Sequence, residues 1–97
     1  MHIKIENIKE NPVTLLRRAG YVFQRKEGDE MSFVRVLARN GYPRFHMYTH
    51  MEDLSLVINF HLDQKRETYG TGTRHHGEYE DEGVLAEEAT RIRGMLA

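Results

Sequence analysis

Five of the six histidines in the chain, His46, His50, His61, His75 and His76, lie between positions 46 and 76. Imidazole is the side chain that exchanges protons or ligates transition metals near neutral pH, so this interval is where chemistry is expected. Around it stand Arg44, Asp63, Lys65 and Arg66, followed by Glu78 and Glu80. Three chemistries fit these residue types. His46, His61, Asp63, His75 and His76 are candidate ligands for zinc or another divalent transition ion, which nitrogen and oxygen donors suit, although they match no recognised ligand spacing. His61 and Asp63 are two apart and share one face of a strand, whereas the adjacent His75 and His76 diverge in any regular element. His46 and His61 are also the candidate catalytic pair, able to pass protons around a phosphate held by Arg35, Arg44 and Lys65. The third chemistry is binding: Arg35, Arg44 and Lys65 on phosphate, Phe33 and Tyr48 stacking bases, and His46, Asn59 and His61 donating or accepting hydrogen bonds.

Composition narrows the choice. The chain has 97 residues and no cysteine, so disulfides, thiolate zinc sites and a cysteine nucleophile are excluded together. A length of 97 residues suits one domain, residues 1–97, with one core. Fourteen Lys and Arg against fifteen Asp and Glu give a net charge of −1. No global field draws in nucleic acid, and such binding has to rest on a local patch. The absence of a long apolar run and of a charged-then-apolar leader implies that nothing spans a membrane or directs secretion, and no membrane partner and a cytoplasmic compartment are expected.

The elements that would position these groups follow from periodicity. His2 to Glu6 alternates polar and apolar residues, as an extra edge strand would. Asn11-Pro12 is a helix start, Val13, Leu15, Leu16 and Ala19 form an apolar side, and Gly20 is a stop, which predicts a helix over 12–19. From Tyr21 the period becomes two. Tyr21–Arg25, Met31–Ala38, Arg44–His50 and Leu54–Leu62 read as an antiparallel meander with turns at Gly28-Asp29, Asn40-Gly41 and Glu52-Asp53.

Two-residue turns at those sites place Phe23 opposite Val34, Val36 opposite Phe45, Met47 opposite Ile58 and Phe45 opposite Phe60, with Tyr21, Ala38, Leu56 and Leu62 completing an apolar layer. The other face then carries Phe33, Arg35, Arg44, His46, Tyr48, Asn59 and His61. In that register His46 faces Asn59 and Arg44 faces His61. Residues 63–82 form a long Gly-rich loop, placed to fold back over the polar face or to hold a short strand near Arg74–Tyr79. A closing helix over 84–96 carries the stripe Val84, Leu85, Ala89, Ile92, Met95 and Leu96.

The run Leu15-Leu16-Arg17-Arg18-Ala19-Gly20-Tyr21-Val22-Phe23-Gln24-Arg25-Lys26-Glu27-Gly28, with His76-Gly77 and a closing helix, resembles the HicA-type toxin ribonucleases. The resemblance covers about half the chain and implies a double-stranded-RNA-binding-domain topology with a leaning toward nucleic acid. That family's catalytic His follows the Gly of the first hairpin. Here Asp29 and Glu30 follow Gly28, so no activity carries over.

The expected architecture is an α+β two-layer sandwich, with helices on one face of a four-stranded antiparallel meander in the order α-β-β-β-β-α. The expected function is binding of single-stranded RNA or a phosphate-bearing molecule on the open face. The alternatives are a homodimer contact through Val22, Phe33, Leu37 and Val57, and a His and carboxylate divalent-metal site with hydrolase activity.

Overall fold

The chain folds around one antiparallel sheet. The structure is a computed structural model that describes residues 1–64, the backbone of 78–79, and 82–96. Its elements are β1 (His2–Ile5), α1 (Pro12–Arg18), β2 (Val22–Glu27), β3 (Glu30–Val36), β4 (Arg44–Glu52), β5 (Ser55–Asp63), β6 (Glu78–Tyr79) and α2 (Glu82–Leu96). The strands lie in the order β1-β5-β4-β3-β2, and β6 pairs with β5 beyond the end of β1. The class is therefore α+β as expected, with the N-terminal edge strand present and a further two-residue strand.

Local signals fix the helix ends. Asn11 caps α1 by accepting a hydrogen bond from the Val13 amide at 2.8 Å, and Pro12 occupies the first turn where its missing N–H costs nothing. At the other end Tyr21 N–H donates to Leu16 O (2.8 Å) and Gly20 N–H to Arg17 O (2.9 Å). This crossed pair is a Schellman stop, and it needs the left-handed conformation that Gly20 adopts at φ +93°. The chain leaves the helix aimed straight into β2.

One core joins both helices to one face of the sheet: Leu15, Leu16, Leu85, Ala89 and Ile92 pack with Ile3, Ile5, Phe33, Phe45, Met47, Leu56, Ile58, Phe60 and Leu62. Alternation places Arg44, His46, Tyr48, His50, Val57, Asn59, His61 and Asp63 on the opposite face.

Two hairpins depart from the expected register. Between β3 and β4 the chain does not turn in two residues at Asn40-Gly41. Leu37 N–H donates to Pro43 O, and Gly41 N–H to Ala38 O, both at 3.0 Å, so 37–43 becomes a loop and the ladder restarts at Val36 opposite Arg44. Pro43 accepts from Leu37 in this same register but has no N–H to return a bond, so the ladder ends there, one residue out of step with a two-residue turn. A one-residue slip exchanges faces. Phe33 pairs with Met47 and is 0% exposed, and Arg35 pairs with Phe45, both on the helix-covered face. Val34 and Val36 turn the other way, Val36 reaches 48% exposure, and Ala38 is exposed too. Phe33 and Arg35 are thus removed from the open face where they were expected.

The β2–β3 hairpin does turn at Gly28-Asp29, but an irregularity between Phe23 and Arg25 puts Phe23 opposite Phe33. Phe23 remains on the helix side because the bulge offsets the slip. The β4–β5 turn sits at Asp53-Leu54, with Asp53 at φ +58°, so Glu52 pairs with Ser55. This shift moves each partner by two residues and preserves the faces.

Candidate metal centre on the open sheet face

The long β4–β5 hairpin creates a two-by-two block of polar side chains. Arg44 stands directly opposite Asp63, and the next same-face positions, His46 and His61, stand opposite each other. The expected partners, Asn59 for His46 and His61 for Arg44, are displaced by the two-residue shift, and Asn59 instead faces Tyr48. Directly opposed strand residues have Cβ atoms about 5 Å apart, close enough for their side chains to share one atom between them.

They converge on the Asp63 carboxylate. His61 Nε2 lies 3.0 Å from Asp63 Oδ1, His46 Nδ1 lies 3.6 Å from Oδ2, and Arg44 Nε lies 3.5 Å from Oδ2. The His61 contact is close but out of line for a hydrogen bond, and His46 Nε2 is buried with no hydrogen-bond partner among the described residues. One ligand atom from each of His46, His61 and Asp63 falls within 4.8 Å of the others. A tetrahedral ion with bonds near 2.0 Å separates its ligands by about 3.3 Å. The His61–Asp63 edge is of that size at 3.0 Å, and the His46–Asp63 edge is a little longer at 3.6 Å.

Aromatic packing fixes the rings. The His46 and His61 centroids are 5.2 Å apart, and Tyr48 stacks 4.6 Å from His46 and 6.2 Å from His61. Arg44 lies over the Tyr42 ring at 4.7 Å. Burial is the main cause that holds the His46 pKa below the usual imidazole range; Asp63 opposes it, while His61, Arg44 and Arg25 act in the same direction as burial. A neutral imidazole is the form that ligates metal.

Other expected site residues disperse. His50 is engaged with Glu52 of its own strand at 3.0 Å, and Asn59 is exposed. Lys65, His75 and His76 lie outside the described residues, as does the Gly-rich loop between Asp63 and Glu82 apart from Gln64 and the backbone of β6.

A second cluster was not foreseen. Glu88 of α2 is 4% exposed and accepts hydrogen bonds from Tyr21 Oη (2.7 Å), from Arg91 Nε and Nη2 (2.9 Å each), and from Arg35 Nη1 (3.3 Å). Arg91 Nη2 also donates to Ala19 O at 2.6 Å, which ties α2 to the end of α1. In sequence Glu88 looks like part of a solvated face. Its spacing from Leu85 and Ile92 nevertheless sets it within the buried stripe, which was the available signal.

Among the described residues no helix is long and apolar enough to cross a membrane. A comparison with known proteins finds no matching family model, curated protein or solved structure, so the resemblance to the HicA-type ribonucleases rests on sequence pattern and helix-sheet-helix order alone.

Proposed function

We propose that the chain binds a divalent transition metal, zinc foremost, through His46, His61 and Asp63. The observation that carries this reading is the convergence of one ligand atom from each residue within 4.8 Å on a partly buried sheet face. Two imidazoles and a carboxylate are the donor set of many zinc sites that keep one position for water or a substrate atom. Zinc held there would supply the chemistry that hydrolysis uses, lowering the pKa of a bound water, and hydrolysis would be the accompanying activity. Arg44 would then neutralise a phosphate drawn to the ion, and Tyr48 would wall the site.

RNA recognition on the open face is the weaker reading. With Phe33 and Arg35 on the other side of the sheet, its stacking groups become Tyr48 and Tyr42, and the arginines left near the histidines are Arg44 and Arg25. A homodimer through that face loses Phe33 and Leu37 in the same way. The deciding experiment is titration of chelator-treated protein with Co²⁺, followed by displacement with Zn²⁺. One ion per chain with a ligand-field spectrum of nitrogen and oxygen ligation, lost in His61→Ala, supports the metal site; the absence of a saturable spectrum removes it.

A further inference from the structure

On the far side of the sheet from the histidines, a cleft of about 420 Å³ opens between α2 and the adjoining ends of β3 and β4. Its walls are Leu37, Phe45 and Val84, and its polar groups are Arg35, Arg91 and Glu88, with Glu87 at the rim. That volume lies within the range of small-molecule sites, and an apolar lining with a few fixed polar groups is their usual composition.

The two arginines are held in place before any ligand arrives. Glu88 fixes Arg91 through two 2.9 Å bonds and Arg35 through one, and Tyr21 Oη supplies a further donor to the same carboxylate. Arg35 is positioned again by the Phe45 ring, 5.9 Å from its guanidinium carbon, and by the backbone of Gly20, where an added Cβ would come within 3.3 Å of its Nε. Among the described residues Arg35 donates only through Nη1, so its other N–H groups have no partner there. Two guanidinium groups face one buried carboxylate inside the cleft, and the second negative charge, Glu87, stands at its rim. The Glu87 side chain is exposed, where water and salt screen it. Leu37 stays 42% exposed beside these charges. An exposed leucine next to a pre-positioned arginine suits a molecule that is apolar at one end and anionic at the other.

We propose that this cleft is a second binding site, for a small molecule carrying a carboxylate or phosphate on an apolar body, with the oxyanion on Arg35 and the body against Leu37, Phe45 and Val84. The site is independent of the metal centre, and its test uses the metal-free chain. Benzoate, phenyl phosphate, inorganic phosphate and benzyl alcohol are titrated separately against ¹⁵N-labelled protein. Saturable amide shifts at Leu37, Phe45 and Val84 with benzoate or phenyl phosphate, and weaker ones with inorganic phosphate and benzyl alcohol, are expected. The tighter of the first two identifies the oxyanion. Arg35→Gln should weaken binding about tenfold, the worth of one charge-assisted contact. Leu37→Glu, a change at an exposed position that leaves the core intact, should weaken it at least as much. Shifts absent for both amphiphilic probes, or unchanged affinity in Leu37→Glu, would overturn the proposal.

Discussion

His46 and His61 face each other across β4 and β5 with ring centroids 5.2 Å apart, while Asp63, two residues beyond His61, reaches back to both. The arrangement depends on the β4–β5 turn lying at Asp53-Leu54. Were the turn one position earlier, His46 would face Asn59 and the carboxylate would lie further off.

If the three side chains form a metal centre, each contributes a bond that nothing nearby replaces. Loss of a group that merely orients a ligand costs 10- to 100-fold in affinity, so loss of the ligand itself in His46→Ala, His61→Ala or Asp63→Asn should cost at least about 100-fold. Calorimetric zinc titration against the parent chain measures this. Parent-like affinity in any one of the three would remove that residue from the centre.

Arg44 distinguishes a metal centre from an RNA or phosphate surface. Its guanidinium competes with a cation for Asp63 from 3.5 Å away. Arg44→Ala should therefore raise zinc affinity about fivefold, the effect of removing roughly 1 kcal/mol of repulsion at a partly solvated site. A surface that uses Arg44 only to hold phosphate, with no ion on Asp63, would show no rise in zinc affinity; calorimetric zinc titration of Arg44→Ala decides between them.

Much of the fold could be read in the sequence because it is written locally. Asn11-Pro12 and Gly20 bound α1, Gly28-Asp29 turns the first hairpin, and the alternation on β4 and β5 keeps His46, His61 and Asp63 on one face whichever two-residue step the hairpin takes. Residues 37–43 resisted because Asn40-Gly41 is a strong hairpin signal, and local propensity does not reveal that the loop is longer than a two-residue turn by an odd number of residues. That parity alone decides the faces of Phe33 and Arg35. The Glu88 cluster resisted for another reason. It joins residues 67 positions apart, and only the tertiary fold makes a buried glutamate tolerable.

The exchange of faces on β3 makes opposite forecasts for two truncations. Phe33 is fully buried and packs edge-on to Phe23 with centroids 5.6 Å apart, so Phe33→Ala should cost about 3–5 kcal/mol in chemical denaturation. Val36→Ala, at an exposed position, should cost less than about 1 kcal/mol. A register with Val36 inside and Phe33 outside would reverse the order.

Glu88→Ala tests the pin between α2 and the rest of the domain. Removing the carboxylate leaves two arginines and the Tyr21 hydroxyl facing one another without their shared acceptor. Breaking a buried ionic set typically costs 3–5 kcal/mol, and because both arginines are partly solvated a loss of about 3 kcal/mol is expected. Unfolding in urea at pH 7 reads it directly. A loss below about 1 kcal/mol would mean that the cluster is neutral to stability and that apolar packing alone docks the helix.

Tyr21 gives the same cluster a pH signature. Burial, reinforced by the hydrogen bond to Glu88 and by that residue's charge, raises the Tyr21 pKa far above the ordinary tyrosine range, and Arg35 and Arg91 offset only part of this. In the unfolded chain Tyr21 ionises near pH ~10, while in the folded chain it keeps its proton. Unfolding above that pH therefore releases a proton, and stability falls as pH rises. One such group contributes a slope of up to about 1.4 kcal/mol per pH unit. Tyr21→Phe deletes the titrating hydroxyl and costs about 1 kcal/mol at neutral pH through the lost hydrogen bond. Its stability should decline less steeply than the parent's between pH ~10 and ~11. Urea unfolding of both proteins across that interval measures the difference. Parallel declines would show that the Tyr21 hydroxyl ionises as readily in the folded chain as in the unfolded one, and the buried bond to Glu88 would then be absent in solution.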